Sequence, residues 1–111
     1  MHMVDAGKQA LEFSRNRGRG DLDIDVMFRR AVVNCLQEIG EAAIQVSPAT
    51  QVAIPGVPWM QIARMRNRLV HAYFAINLDL VWDVLISDLS PLIGQLDLFL
   101  KAHSKNPSSN Q

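Results

Sequence analysis

Hydrophobic residues recur at spacings of three and four from Ile24 to Val46, which is the pattern of one face of an α-helix. The pattern predicts one long helix over about residues 22–46, and the negative charges of Asp21, Asp23 and Asp25 favour a helix start there. The apolar series comprises Ile24, Phe28, Ala31, Cys35, Ile39, Ala42 and Val46, with Met27, Val32, Leu36 and Ala43 beside it. A chain of 111 residues is long enough for one domain, and a content of 49% hydrophobic but only 6% aromatic residues favours a small all-α bundle.

Shorter helices are predicted on both sides of the long one. A first helix should run from Met3 to Phe13, with Val4, Ala10 and Leu11 facing inward. After the long helix, Ala49 to Val57 should form an extended loop held by Pro55 and Pro58. Pro58 fits the first turn of a further helix that should end near Phe74, and this segment is called the Arg66 helix below.

Two more helices complete a predicted bundle of about four to five. Asn77 or Asp79 can cap the first of them, and Ser87 or Ser90 with Pro91 begins the last helix or kinks the chain into it. Their inward-facing residues should be Leu78, Val81, Trp82 and Leu85, and then Leu92, Ile93, Leu96, Leu98, Phe99 and Leu100. We expect residues 1–103 to form a single helical domain and the polar residues 104–111 to form a disordered tail.

Arg66 interrupts the apolar pattern of its own helix. The hydrophobic residues Trp59, Ile62, Ala63, Leu69, Val70 and Tyr73 all lie at helical offsets that place them on the side of Arg66. Because an arginine keeps its charge in a protein, a position among apolar residues calls for a partner or a function. One alternative is an ion pair with a carboxylate across a helix interface. Glu38 and Glu41, beside the apolar face of the long helix, are expected either to be solvated at the surface or to pair with an arginine such as Arg66.

Positive charge is clustered although the net charge is zero. Between Glu41 and Asp79 there is no acidic residue, and this stretch contains Arg64, Arg66, Arg68 and His71. A site for a polyanion must therefore be local. A second basic segment holds Arg15, Arg17 and Arg19, alternating with Asn16, Gly18 and Gly20; it is either a solvated connector or a flap that contacts phosphate beside the Arg66 helix.

Several other classes of protein are disfavoured. Cys35 is the single cysteine, so it cannot form an intrachain disulfide and suits a core position in a reducing cytoplasm. No apolar run approaches the ~20 residues of a membrane span. The sequence shows no glycine-rich phosphate loop and no paired metal-ligand motif, so we expect neither a cofactor nor a metal.

The order of polar residues in the Arg66 helix adds a family resemblance. Arg66, His71 and Tyr73 follow the pattern R-x4-H-x-Y, which resembles the signature of the HepT-like branch of the HEPN superfamily. Further blocks resemble that family in the same order, at Glu38–Ala43, Ile54–Trp59, Met65–Phe74 and Leu78–Trp82. The resemblance implies a HEPN-like up-and-down helical bundle that forms a homodimer.

The resemblance also implies a function, that of the toxin in a toxin–antitoxin system acting as a metal-independent endoribonuclease. Arg66, Asn67 and His71 would be its catalytic residues, in a cleft between two copies of the subunit. This assignment fits RNA chemistry, because an imidazole can move protons while a guanidinium stabilises the charge that develops on phosphate. Further contacts to RNA are expected from Arg15, Arg17, Arg19, Arg64 and Arg68.

A protein partner is implied as well. HepT-like proteins are typically encoded with a nucleotidyltransferase of the MNT type, which neutralises them and can transfer AMP onto the tyrosine that corresponds to Tyr73. HEPN domains also serve as non-catalytic binding modules that complete a nucleotidyltransferase, and a purely structural helical dimer is a third alternative. The joint presence of Arg66, Asn67 and His71 favours the enzyme.

Overall fold

The computed structural model describes residues 2–71 and 77–104, which form helices and connecting loops without a strand. The prediction of an all-α bundle is confirmed. The helices are α1 (His2–Phe13), α2 (Asp21–Ile24), α3 (Val26–Gln45), α4 (Pro48–Ala53), α5 (Trp59–His71), α6 (Leu78–Asp83) and α7 (Leu89–Ser104), and a π-helical turn (Val84–Asp88) joins α6 to α7. Tyr73 and the predicted end of the Arg66 helix near Phe74 lie outside the described residues. The predicted tail 104–111 also lies outside them, except for Ser104, which is the last residue of α7.

Helix α3 lies at the centre of the packing. It contacts α1 on one side and α5 on the other, and α7 packs against α1. The predicted apolar series is largely correct along α3, because Phe28, Val32, Cys35, Leu36, Ile39 and Ala43 are all buried. Residues from other helices complete the core, among them Met3, Leu22, Leu85, Leu89 and Leu96.

The start of the long helix differs from the prediction. Asp25 has extended backbone angles (φ −104°, ψ 98°) and caps α3, since its side chain accepts a hydrogen bond of 3.0 Å from the Phe28 amide. The helix therefore begins at Val26, and α2 is a separate turn. Ile24 and Met27, which the sequence pattern assigned to the apolar face, are 80% and 83% exposed. Ile24 precedes the break at Asp25 and so is out of phase with α3, whereas Met27 lies within α3 on the same face as the exposed Asn34.

The segment after α3 is helical where an extended loop was predicted. Ser47 caps α4 by accepting a hydrogen bond of 3.2 Å from the Thr50 amide, and Pro48 occupies the first turn, a position that proline tolerates. The Trp59 indole N–H then donates to the carbonyls of Gln51 at 3.2 Å and Ile54 at 3.1 Å. These bonds attach α4 to the first residue of α5.

The last two predicted helices form one continuous rod. Asn77 is the cap, as predicted, and its side chain accepts hydrogen bonds from the amides of Asp79 and Leu80. The last helix, α7, begins at Leu89, between the predicted Ser87 and Ser90. The wider π turn lies directly before it and precedes Pro91, whose ring and missing N–H disturb regular α-helical bonding. Leu98 is 71% exposed rather than buried, because it lies about 200° round the helix from buried Leu96.

None of the helices in the described ranges is long and apolar enough to cross a membrane.

Candidate active site

Helix α5 packs on α3 through a narrow apolar strip. Ile62 and Leu69 are its buried residues, and Trp59 and Met65 are partly buried at the edges of the strip. The Gln37 side-chain amide of α3 donates a hydrogen bond of 3.2 Å to the Leu69 carbonyl, which fixes the contact near the C-terminal end of α5. The predicted helix is thus confirmed over Trp59–His71, and the position of Arg66 is set by its packing on α3.

Helix α5 crosses α3 where Arg66 contacts Gly40. A Cβ atom added at Gly40 would overlap the Arg66 Cβ and lie 2.8 Å from its Cγ and 3.3 Å from its Cα. Only a glycine lets the two helices approach this closely, because any side chain would occupy the space of the arginine stem. The stem is therefore held against the α3 backbone, and the Arg66 side chain as a whole is 28% exposed.

The Arg66 guanidinium has few partners of its own. Nη1 donates a hydrogen bond of 3.1 Å to Asn67 Oδ1, and Nη2 lies 3.9 Å from Glu41 Oε2, an ion pair too long for a hydrogen bond. Nε is buried without a hydrogen-bond partner in the described part of the chain. Since a guanidinium carries five N–H donors, this group retains donors with which it could bind an anion.

A cavity of about 740 Å³ lies beside Arg66 between α1 and α3. Its walls carry three carboxylates, those of Asp5, Glu38 and Glu41, together with Gln9. Carboxylates repel a phosphate group, so this cavity in one subunit is not a natural phosphate site. Arg66 itself lines the cavity, so an anion that reaches its guanidinium from this side must compete with Glu41.

His71 and Asn67 are both exposed, and the face of α5 that carries them is called its outer face below. His71 follows Arg66 by five residues, which corresponds to about 140° round the helix and about 7.5 Å along it. A single subunit therefore does not direct the imidazole and the guanidinium toward the same point. The two groups lie on neighbouring faces of α5.

The other arginines of α5 are placed to meet solvent. Arg64 and Arg68 are exposed, and neither forms an ion pair with any residue in the described ranges. Both line a second cavity of about 670 Å³, which α5 forms with the rod of α6 and α7. These two residues give this side of α5 a positive charge, and one carboxylate, that of Asp88, lines the same cavity.

The arginines of the Arg15–Gly20 loop are, in contrast, paired with carboxylates. Arg15 contacts Glu12 at 2.7 Å, and Arg17 contacts Asp25 at 2.8 Å while lying over the Phe28 ring. Arg19 contacts both Asp23 at 2.8 Å and Asp79 at 2.7 Å, which ties the loop to the first turn of α6. This arrangement favours the interpretation of the loop as a solvated connector. Contact between the loop and RNA stays a prediction.

Cys35 is buried in α3, and its Sγ lies 4.0 Å from Oε1 of Gln9 in α1. Burial, with a smaller contribution from the charge of Glu38, raises the pKa of its thiol from 9.0 to about 11. The thiol is therefore neutral at physiological pH and a poor nucleophile. Within residues 2–71 and 77–104, no group of three or more His, Cys, Asp or Glu side chains is placed to hold a metal ion.

Gly40 is the contributor that sequence reasoning missed. The available signal was an isolated glycine inside a strongly patterned helix, between Ile39 and Glu41, where glycine normally weakens a helix. Such a glycine usually has a packing reason, and here the reason is the stem of Arg66.

The fold and the site define a small helical protein that presents an arginine, an asparagine and a histidine on one helix. Comparison with known families is consistent with this class. The profile of the family described as "Ribonuclease HepT-like" matches residues 3–98, and the chain belongs to this family. The family resemblance seen in the sequence is thereby confirmed.

Individual relatives agree with the family assignment. "Probable ribonuclease HepT" of Thermococcus cleftensis is 32% identical over 90 residues, which cover 81% of this chain and 82% of the relative. "Putative RNase MJ0127" of Methanocaldococcus jannaschii is 30% identical over 94 residues, covering 85% and 78%. "Putative RNase TTE0752" of Caldanaerobacter subterraneus is 32% identical over 97 residues, covering 84% and 87%. No solved structure matches the chain.

Proposed function

We propose that two copies of this chain form a metal-independent endoribonuclease, the toxin of a toxin–antitoxin system. The observation that carries the proposal is Arg66, whose stem is held against α3 and whose Nη1 and Nη2 atoms make only one hydrogen bond within the described residues, to Asn67, on the same helix as the exposed His71 in a protein of the HepT-like ribonuclease family. Arg66, Asn67 and His71 are the proposed catalytic residues.

The proposed reaction uses the nucleophile that RNA already carries. One His71 removes the proton from a 2′-hydroxyl, whose oxygen attacks the neighbouring phosphorus and forms a 2′,3′-cyclic phosphate. The bond to the 5′-oxygen breaks, and a second imidazole donates the proton that this leaving oxygen takes up. Arg66 stabilises the negative charge that develops on the phosphate, and Asn67 orients the guanidinium or holds a phosphate oxygen.

Two copies are required because one subunit directs Arg66 and His71 to different faces. A two-fold axis beside the outer face of α5 would bring two Arg66 and two His71 residues to one cleft, which supplies both an acid and a base. The exposed Arg64 and Arg68 would add positive charge at the rim, where phosphates flanking the scissile bond can bind. Light scattering should show a dimer at micromolar concentration, and a stable monomer would overturn this part of the proposal.

Substitution of the catalytic residues tests the chemistry. In buffer that contains EDTA, the wild-type protein should cleave RNA, whereas His71→Ala should be slower by about 10²- to 10⁴-fold and Arg66→Ala by about 10²- to 10³-fold. Lys8→Ala is the control, because Lys8 is an exposed cation of α1 that pairs with Asp97 of α7 and lines neither cavity beside α5. Activity that survives in both variants, or that EDTA removes, would exclude the mechanism.

The second candidate function is a non-catalytic helical module that completes a nucleotidyltransferase partner. The N–H donors that remain on Nη1 and Nη2 of Arg66 could hold the phosphate of a nucleotide as well as that of RNA. The two functions differ in turnover, because a binding module would retain nucleotide or partner without degrading RNA under any metal-free condition.

Neutralisation by an MNT-type nucleotidyltransferase completes the proposal. Transfer of AMP onto Tyr73, two residues after His71 in the sequence, would add a negatively charged phosphodiester close to the catalytic helix. After incubation of the protein with an MNT-type nucleotidyltransferase, ATP and Mg²⁺, the intact mass of the protein should increase by that of an AMP group. Equal modification and neutralisation of a Tyr73→Phe variant would show that control does not pass through this tyrosine.

A further inference from the structure

Glu41 lies on the same turn of α3 as Gly40 and faces the guanidinium of Arg66. Its Oε2 is 3.9 Å from Arg66 Nη2, and it provides the carboxylate nearest to that group among the described residues. We propose that Glu41 is a positioning residue that holds the Arg66 guanidinium in the orientation needed to meet the scissile phosphate. The inference rests on the proposed ribonuclease function and deepens it.

The contacts along Arg66 explain why a second anchor is needed. Gly40 fixes the beginning of the side chain, because the Cβ and Cγ of Arg66 lie directly on the α3 backbone. The last torsions of an arginine remain free to rotate when only the stem is packed. Asn67 holds Nη1 from α5 and Glu41 attracts Nη2 from α3, so the guanidinium is held from both helices.

The length of the contact with Glu41 is compatible with catalysis. At 3.9 Å the carboxylate attracts Nη2 without forming a hydrogen bond, so the N–H donors of Nη2 remain available to a phosphate oxygen. Glu41 is also 57% exposed, which weakens the pair and lets an incoming phosphate compete with it. Glu41 therefore orients the arginine without blocking it.

Glu38 provides a matched control on the same helix. It lines the same cavity, but its carboxylate accepts a hydrogen bond of 3.2 Å from Asn34 and contributes no ion pair to Arg66. Glu38→Gln and Glu41→Gln remove the same charge from the same helix surface. Any difference between the two variants reports the contact with Arg66 rather than the total charge of the cavity.

The test compares kcat, KM and the pH profile of the two variants with those of the wild-type protein on one RNA oligonucleotide. Glu41→Gln should lower kcat by about tenfold, since a misplacement of 1 Å at a reacting centre costs about 10²-fold and a smaller shift is expected. KM and the shape of the pH profile should not change, Glu41→Asp should recover part of kcat, and Glu38→Gln should match the wild type. In an Arg66→Lys background, Glu41→Gln should cost no further activity, because the two residues act as a unit.

Three results would overturn the inference. One is a Glu41→Gln variant with wild-type kcat, and another is an equal loss in Glu38→Gln. The third is loss of the acidic limb of the pH profile in Glu41→Gln, which would make Glu41 an acid or base in the reaction instead of a positioning residue.

A readout without turnover separates this inference from the proposed function. In ¹⁵N NMR spectra, the buried Arg66 Nε–H should exchange slowly with water in the wild-type protein and several-fold faster in Glu41→Gln, with Glu38→Gln unchanged. If the wild-type protein does not cleave RNA, the ribonuclease proposal fails while this comparison still decides whether Glu41 orders the guanidinium. Equal exchange in all three proteins would show that it does not.

Discussion

Replacing Gly40 with alanine is the perturbation whose effect the structure defines most sharply. In the interior of a helix, this change normally stabilises by about 1 kcal/mol, because alanine is the better helix former. At Gly40 the added methyl group overlaps the Cβ of Arg66 and lies 3.3 Å from its Cα. These atoms belong to the α5 backbone and the first atom of a side chain, so they cannot rotate away and the helices must separate.

The expected change in stability follows from these two opposing effects. Overpacking of a close contact costs about 1–3 kcal/mol, and the rigid neighbours at Gly40 place this case at the upper end. After the gain in helix propensity, Gly40→Ala should destabilise the protein by about 2 kcal/mol. For a domain of this size that corresponds to a Tm lower by about 8 °C.

Gly94→Ala is the matched control. Gly94 lies inside α7, and a Cβ at this position would meet no atom within 4 Å. Only the helix-propensity effect remains there, so Gly94→Ala should stabilise the protein by about 0.5–1 kcal/mol. Thermal unfolding followed by circular dichroism at 222 nm measures both variants under identical conditions.

Activity adds a second measurement on the same variants. Because α5 must move away from α3, Gly40→Ala should also displace Arg66 and lower RNA cleavage by up to about 10²-fold, whereas Gly94→Ala should retain it. A Gly40→Ala variant that is as stable as Gly94→Ala would refute the close approach of the two helices. Full activity in a destabilised Gly40→Ala variant would refute the link between this contact and Arg66.

Three further predictions follow from individual residues. The Cys35 thiol should resist modification by a maleimide at pH 7 until the protein unfolds. Its folded pKa of about 11 exceeds the unfolded value of 9.0, so its contribution to stability is present below pH 9 and is lost as the pH rises through 11. Urea titrations over this pH range measure the loss. Trp59→Phe removes the indole donor from the carbonyls of Gln51 and Ile54 and should destabilise the protein by about 1–3 kcal/mol in the same titrations, and an unchanged midpoint would contradict the link between α4 and α5. Replacing both Arg64 and Arg68 with alanine should weaken the binding of RNA to a His71→Ala protein and reduce the salt dependence of that binding. Arg15→Ala should change binding less, because the Arg15 guanidinium is already paired with Glu12. The opposite order would favour the loop as a phosphate-contacting flap.

The parts of the fold that were predicted correctly depend on local sequence patterns. The spacing of apolar residues along α3 and the cap at Asn77 are visible in a single helix, and both are confirmed. The errors occur where a local signal has two meanings. Ser47-Pro48 can end a helix or begin one, and here Ser47 begins α4. The acidic run that favours a helix start did not reveal that Asp25 alone is the cap and that Ile24 precedes the break.

The site was only partly accessible from the sequence. The charge of Arg66 within an apolar pattern indicated a helix interface, and the structure places it there. The contact of Arg66 with Gly40, and the choice of Glu41 over Glu38, depend on where α3 and α5 cross, which the periodicity of either helix alone does not fix. The roles of Asn67, His71 and Tyr73 came from the family resemblance rather than from spacing, and they stay predictions.

The ends of the RNA products show directly whether the 2′-hydroxyl of RNA is the nucleophile. A defined RNA oligonucleotide is incubated with the protein in EDTA, alongside the same oligonucleotide carrying a 2′-deoxy group at the cleaved position. The proposed reaction should give products with a 2′,3′-cyclic phosphate and a 5′-hydroxyl, and no cleavage of the 2′-deoxy substrate. Products with a 3′-hydroxyl and a 5′-phosphate, or cleavage of the 2′-deoxy substrate at the same position, would contradict it.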